Sequence, residues 1–522
     1  MKNIFRIFII LLTTLTISLC ASCNGILVEY SITYYVNGEV VKLFPSSYHN
    51  TIELPKYETS DGYQFDGWYL DLAKEKQVDT TYGLSQNLVL YGYTKRVTSP
   101  LESEIKKFND KHQENVRRGL PNIGEPNILV IPVTFSNRII PNDLMEKTNK
   151  AFFGTSEETG WESLNSFYCK SSFGKLNIKG NVLDPFEASK VTSYYDNLYT
   201  QYLKDYDDYF AGLISYEPFY PGDYIVSEAL SYYDDTVNFQ DYDTDNDGYI
   251  DCIHIVYVNP FDSGKMWWAY NVYYNKDQME VDGVKIGTYA FSSYYFFEEE
   301  LIPNKETIGT DTIIHETGHA LGLDDYYDYT PDDDIGGGIG AVDIMDSNIA
   351  DHNSYSKAIL GWIDPIIVTD DQTITINSFV ETGDAIFIYK EKTNSIFGEF
   401  IAIELYTPTH LNAIIYDKFG YLDIVGVKIY HVDARVTDTG GFVDAFSMLL
   451  NNNSKTKHSL ISVVEADRNN SIKTDFYIYP EDFYYEGEAL TNYYWHDNTP
   501  LNFEIDVLKL ENNQATIKID FK

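Results

Sequence analysis

Between His315 and Asp325 the chain reads His-Glu-Thr-Gly-His-Ala-Leu-Gly-Leu-Asp-Asp, and this run dictates its own backbone. Histidines four residues apart share a face only if the segment is helical. Neutral imidazoles at that spacing can chelate one zinc ion, with Glu316 beside the metal where it can hold a water. Gly322 lets the chain leave the helix abruptly, and Asp325 offers a hard third ligand from the loop beyond. Three protein ligands leave a fourth position for water, which a catalytic zinc needs and a structural zinc lacks. Asp311 to Ile314 read as a capped, half-buried helix start. Asp343-Ile344-Met345-Asp346, after a run of glycines, reads as a Met-turn beneath a metal site. The competing reading is a metal-free core helix with hydrogen-bonded histidines.

The whole pattern, HExxHxxGxxD, is the extended metzincin-like motif with Asp in place of the third His. Its surroundings resemble the immune inhibitor A-type secreted metallopeptidases. The resemblance is carried by HETGHALGLDDYYD (315–328), VDIMD (342–346) and SKAILGWIDP (356–365). Upstream it is carried by NILVIPVTF (127–135), AFFG (151–154), ESLNSFYCKSSFGKLNIKGNV (162–182) and YDTDNDGYIDCIHIVYV (242–258). It covers residues 125–365, with a weaker likeness at IYHVDAR (429–435). The resemblance implies a zinc-dependent endopeptidase acting on protein or peptide substrates, with His315, His319 and Asp325 as ligands and Glu316 as general base. Asp324 stands where that family usually has proline, so either Asp324 or Asp325 is open as the ligand, and spacing favours Asp325. An oxyanion donor is expected from Tyr or His; Tyr326 and Tyr327 are near, and nothing in the sequence selects one.

A second motif runs from Asp243 to Asp251, Asp-Thr-Asp-Asn-Asp-Gly-Tyr-Ile-Asp. Alternate aspartates converge on one face of a tight loop, and Gly248 permits the turn. Asp243, Asp245, Asp247, Tyr249 and Asp251 are the expected Ca2+ ligands. The twelfth position is His254 instead of the EF-hand Glu, and Cys252 to Val258 alternates as a strand. The expectation is a structural calcium loop feeding a strand; the alternative is a solvated acidic turn.

Thirty-eight basic against 79 acidic side chains give a formal charge of −41. Such a chain has no general basic field for nucleic acid or anionic lipid. It suits an extracellular face and attracts divalent cations. With 46 tyrosines and 29 phenylalanines, β-rich layers are favoured over helical bundles.

Lys2 and Arg6 precede an apolar run from Ile7 to Leu19, too short to span a bilayer, so residues 1–23 read as an export signal. Cys20-Ala21-Ser22-Cys23 resembles a bacterial lipobox, which implies acylation of Cys23 and a lipid anchor on the outer face of a bacterial membrane. The alternative is ordinary cleavage and secretion. Cys169 and Cys252 would then remain, as free thiols or one disulfide.

The expected architecture is α+β and multidomain. Residues 24–97 form a small β-grasp-like module: Tyr30 to Val36 alternates, Asn37-Gly38 is a hairpin turn, and strands fit Gln64 to Leu70 and Leu88 to Tyr93. Phe65-Asp66-Gly67-Trp68-Tyr69 and Asn87-Leu88-Val89-Leu90-Tyr91 resemble an internalin-type B-repeat, which implies a surface spacer or a module for a surface partner. Residues 98–125 read as a linker with a helix over Leu101 to Arg118. Residues 126–365 read as the mixed α/β, metzincin-like catalytic domain, and 366–522 as a β-sandwich. Val284 to Phe291 is expected either to align substrate from a sheet edge or to be an internal strand. Glu404 and His431 either reach the cleft or simply pack their strands; His352, His410, His458 and His496 have no metal-like spacing. Two other functions compete: a non-catalytic adhesin or scaffold with structural metals, and a zinc hydrolase acting on a bond other than peptide.

Overall fold

The computed structural model describes residues 15–19, 28–43, 51–59, 63–78, 80–83, 85–111, 119–216, 218–274, 279–328, 338–392, 394–436 and 448–522. It is a mixed α/β protein with several sheets, and it divides into two compact units, Met1–Val97 and Thr98–Lys522. Among the described residues no helix is long and apolar enough to cross a membrane. Lys2, Arg6, Cys20 and Cys23 lie outside the described residues; Leu15–Leu19, from the apolar run, pairs antiparallel with Val28–Val36.

In the first unit Val28–Val36 turns back at Asn37-Gly38, both with positive φ (49° and 88°), into Glu39–Val41. The same strand pairs in parallel with Leu88–Arg96, which pairs antiparallel with Tyr63–Tyr69. Alternate residues Ile32, Tyr34 and Val36 enter the core with Leu88, Leu90 and Trp68. Trp68 stacks near Tyr34 and donates its indole N–H to the Pro55 carbonyl at 2.8 Å. Trp68 is thus core.

The second unit opens with the helix Pro100–Lys111, which Ser99 caps by accepting the Glu102 N–H; the expected extension to Arg118 falls outside the described residues. Four parallel strands follow in the order Lys179–Val182, Asn127–Thr134, Ile253–Tyr257, Thr288–Ser293, and an antiparallel edge strand, Tyr270–Tyr273, closes the sheet. Leu129, Ile131, Ile253, Ile255, Tyr289 and Phe291 point to one face, into a core shared with the helices Thr192–Phe210 and Pro221–Tyr233. The alternate residue His254 points to the other face, where its Nε2 lies 3.3 Å from Thr317 Oγ1 on the helix Asp311–Ala320. The motif helix is therefore laid across the sheet.

Val284 to Phe291 does not form an edge. It breaks at Gly287: Val284–Ile286 is the middle strand of a small three-stranded sheet, and Thr288–Ser293 is internal to the main one. Tyr249–Ile250 and Glu280–Val281 flank the first, and Tyr270–Tyr273 lies antiparallel on the outer flank of the second and takes the edge of the main sheet instead.

After Ile366, a five-stranded sheet that includes Ala385–Tyr389, Glu399–Tyr406 and Gly426–Asp433 faces a four-stranded one that includes Phe503–Glu511 and Gln514–Phe521. Ile386, Ile401 and Ile403 meet Ile505, Ile517 and Ile519 in one core between them. These sheets do not stand apart: Leu301, Val342 and Ile349 share another core with Tyr406, Ile415 and Phe483. Glu404 is buried in this region. It accepts the Ser354 N–H at 2.9 Å at the start of the helix Ser354–Ile359 and pairs with Lys428 at 3.1 Å, so its role here is packing.

Candidate metal centre

The helix Asp311–Ala320 places His315 and His319 one turn apart, with ring centroids 4.8 Å apart and planes at 84°. Both Nε2 atoms point at one oxygen: Asp325 Oδ1 lies 2.9 Å from His315 and 3.3 Å from His319. The opposite nitrogens are held by backbone. His315 Nδ1–H donates to the Ile344 carbonyl and His319 Nδ1–H to the Leu323 carbonyl, each at 2.8 Å. Those bonds put a proton on Nδ1 and aim each Nε2 inward, where a metal ion would replace the proton shared with Asp325.

Asp325 reaches the rings because the helix ends sharply. Gly322 has φ +99°, and the Leu323 N–H bonds back to the Gly318 carbonyl at 3.0 Å, a Schellman-like exit. A side chain at 322 would also meet Leu101 Cδ2 at 2.9 Å. Beneath the helix, a Cβ on Gly318 would fall 2.3 Å from Met345 Sδ, so the thioether fills the place of a missing side chain. The turn carrying Met345 is fixed by Asp343, which accepts the Met345 N–H and both the main-chain and side-chain N–H of Asn353, each at 2.8 Å. The turn Asp343–Asp346 thus sets Met345 against the underside of the helix.

Burial alone would push both imidazoles down. The Asp325 carboxylate overrides it, raising His315 and lifting His319 to about 10, while Asp325 itself is held well below the carboxylate range against its own burial. Glu316, 6 % exposed, is raised by burial although both histidines draw it down. Two nitrogens and one carboxylate oxygen within 4.8 Å of one another form a donor set suited to a borderline dication such as zinc. Tyr326 is buried with its hydroxyl 2.6 Å from Ser356 Oγ, so it is committed to the scaffold; Tyr327 lies beside His315, with ring centroids 6.2 Å apart.

In the acidic loop the structure gathers Asp243, Asp245 and Asp251 within 4.8 Å. Asn246 (φ 59°) and Gly248 (φ 88°) make the turn. Asp243 receives the N–H groups of Asp247 and Gly248, each at 3.0 Å, while Asp247 caps the Tyr249 N–H at 2.9 Å. Asp251 is buried and bonded to Thr244; burial first, then Asp245 and Asp243, raise its carboxyl well above the usual range. Asp247 lies outside the gathered set, and Tyr249 is the first residue of the strand Tyr249–Ile250.

Cys169 and Cys252 are both free thiols, so no disulfide joins them. His352 is buried among Phe167, Tyr168 and Trp362, and His410 is exposed. Beside an acidic trio of Glu465, Asp467 and Asp482, another grouping escaped the sequence reading: Glu399, His431 and His496 lie within 4.8 Å of one another. Its signal is cross-strand pairing plus a distant loop, which no local spacing shows.

Compared with known proteins, no curated protein matches the chain. The profile of the Listeria-Bacteroides repeat domain matches residues 30–92, the strand-rich part of the first unit, and this repeat points to a bacterial surface or secreted protein.

Proposed function

We propose that the protein is a zinc-dependent endopeptidase of the bacterial surface, related in its second unit to the immune inhibitor A-type metallopeptidases. The observation that carries this reading is the convergence of two imidazole Nε2 atoms and Asp325 Oδ1 beside a buried Glu316. His315, His319 and Asp325 would hold the zinc, with Asp324 left to the adjoining cavity wall. Zinc bound there supplies a Lewis acid that brings the pKa of a water to about 7 and polarises a peptide carbonyl. Glu316 takes the proton from the attacking water; the burial that raises its carboxyl makes it a better base and then a usable acid toward the departing amine. Tyr327, beside His315, is the nearer of the two tyrosines to a developing oxyanion. The edge strand Tyr270–Tyr273 offers main-chain groups to an extended substrate, and its Tyr273 lines one cavity with Leu323 and Asp324.

Calcium at Asp243, Asp245 and Asp251 would neutralise a buried carboxylate and pin the loop. The repeat module would act as a spacer or contact a surface partner, with Cys23 as the lipid anchor. The competing adhesin reading leaves Glu316 without a use, since a structural metal needs no base at that position. The test is cleavage of casein or gelatin by the full-length protein, with and without a zinc chelator, alongside E316A. The expected result is chelator-sensitive cleavage that falls on the order of 10²–10⁴-fold in E316A while zinc stays bound. Zinc-loaded wild-type protein that cleaves neither substrate would favour the adhesin, and cleavage of an ester or non-peptide amide alone would favour the other hydrolase.

A further inference from the structure

The second gathering of ligating side chains lies in the five-stranded sheet. Glu399 and Asp433 are cross-strand partners, and His431, two residues before Asp433, projects from the same face. Glu399, His431 and Asp433 are 3 %, 1 % and 0 % exposed. Onto this face the loop before Pro500 brings His496, whose N–H donates to Glu399 Oε1 at 2.7 Å. Around that one oxygen stand His431 Nε2 at 3.1 Å and His496 Nδ1 at 3.9 Å, and His496 Nδ1 is also 3.0 Å from Asp433 Oδ2. The rings are layered, with His431 4.1 Å from His496 and His458 stacked 4.3 Å beyond it. Lys390 pairs with Glu399 and with the exposed Asp497, and Arg435 pairs with Asp433.

We propose that Glu399, His431 and His496 form a second transition-metal site, separate from the helix centre. Two imidazole nitrogens and one carboxylate oxygen select zinc or a similar borderline dication over calcium, which takes oxygen alone. A dication there would bind the His496 loop to two strands. Its reach extends further through the segment bearing His458. On that segment Asn453 donates to the Tyr326 carbonyl at 2.8 Å and Ser454 to the Tyr327 carbonyl at 3.1 Å, just past Asp325. The second metal therefore braces the wall of the loop that supplies the third ligand of the first.

The test is the zinc content of the full-length protein after dialysis against low free zinc, with calcium kept in excess to fill the acidic loop. Wild type is expected to retain two equivalents, H315A/H319A one, and H496A one. Cobalt added to H315A/H319A should give a visible absorption band that H496A removes from that background. His496 is half-buried on a loop, so its replacement spares the sheet core; H431N serves as a second variant. A hydrogen-bonded histidine cluster only would show no zinc and no cobalt band in H315A/H319A, and that result overturns the proposal. Equal zinc in wild type and H496A also overturns it. Failure of the helix centre alone would instead appear as unchanged zinc in H315A/H319A with loss in H496A.

Discussion

At the scale of single residues, two positions make sharp demands. Gly318 has no room for a methyl group because Met345 Sδ occupies its place. G318A must push the thioether off the underside of the helix, an overpacking change of about 1–3 kcal/mol. Urea unfolding should show that loss, and zinc affinity should fall with it because Ile344, next to Met345, orients His315. Unchanged stability and affinity would contradict the Met-turn packing. Asp346 is the second case. Burial raises its carboxyl to about 6, even though the Ala341 and Ile339 N–H groups favour its charged form. A folded-state pKa above the unfolded value near 3.8 means the native protein binds the extra proton. Its stabilising contribution is therefore complete below pH 4 and lost as pH rises through 6. Both N–H groups go to one oxygen, Oδ2, so the amide of D346N keeps both bonds. The stability of D346N relative to wild type should climb from pH 4 to 6 and then level off, by about 3 kcal/mol, in urea titrations with zinc saturating. A difference that stays flat across that range would show that Asp346 ionises freely in the fold. Residue-scale chemistry was legible where it was local: His315, Glu316, His319, Gly322 and Asp325 lie within one turn and its exit. The Glu399, His431 and His496 grouping was not, because a β-ladder and a loop almost a hundred residues from Glu399 build it.

At the scale of elements, alternation revealed the strand ending at Val36, where Ile32, Tyr34 and Val36 are buried in turn, and it marked Ile253–Tyr257, which the sheet buries on both faces. Strand order was not legible. Nothing in Thr288–Ser293 says that Tyr270–Tyr273 will cover its outer side, since pairing depends on partners distant in sequence. The acidic loop is an element whose geometry is set locally and which draws three carboxylates together. Asp243, Asp245 and Asp251 repel one another across a few ångströms, and Asp251 is buried. Calcium should therefore raise the melting temperature of EGTA-treated protein held at constant zinc, and D243A should abolish the rise. An identical melting temperature with and without calcium would return the loop to a solvated turn.

At the scale of the whole molecule, the two compact units and the shared cores make opposite statements about divisibility. Every residue of the helix centre lies after Thr98, and the repeat-like unit keeps its own core around Ile32, Leu90 and Trp68. Removing residues 1–97 should leave zinc content and casein cleavage within about twofold of the full chain, because no ligand or base is lost. The boundary expected near residue 365 has a different character. Leu301, Val342 and Ile349 from before it bury their side chains with Ile415 and Phe483 from beyond it. A chain ending at residue 365 would expose that apolar surface and lose the segment that holds the Tyr326 and Tyr327 carbonyls. It should fail to give a cooperative melting transition or bind zinc, whereas 98–522 should do both. Recovery of a folded, zinc-binding 98–365 fragment would show that the later sheets are an appended domain, and that the metal helix needs only its own sheet for support.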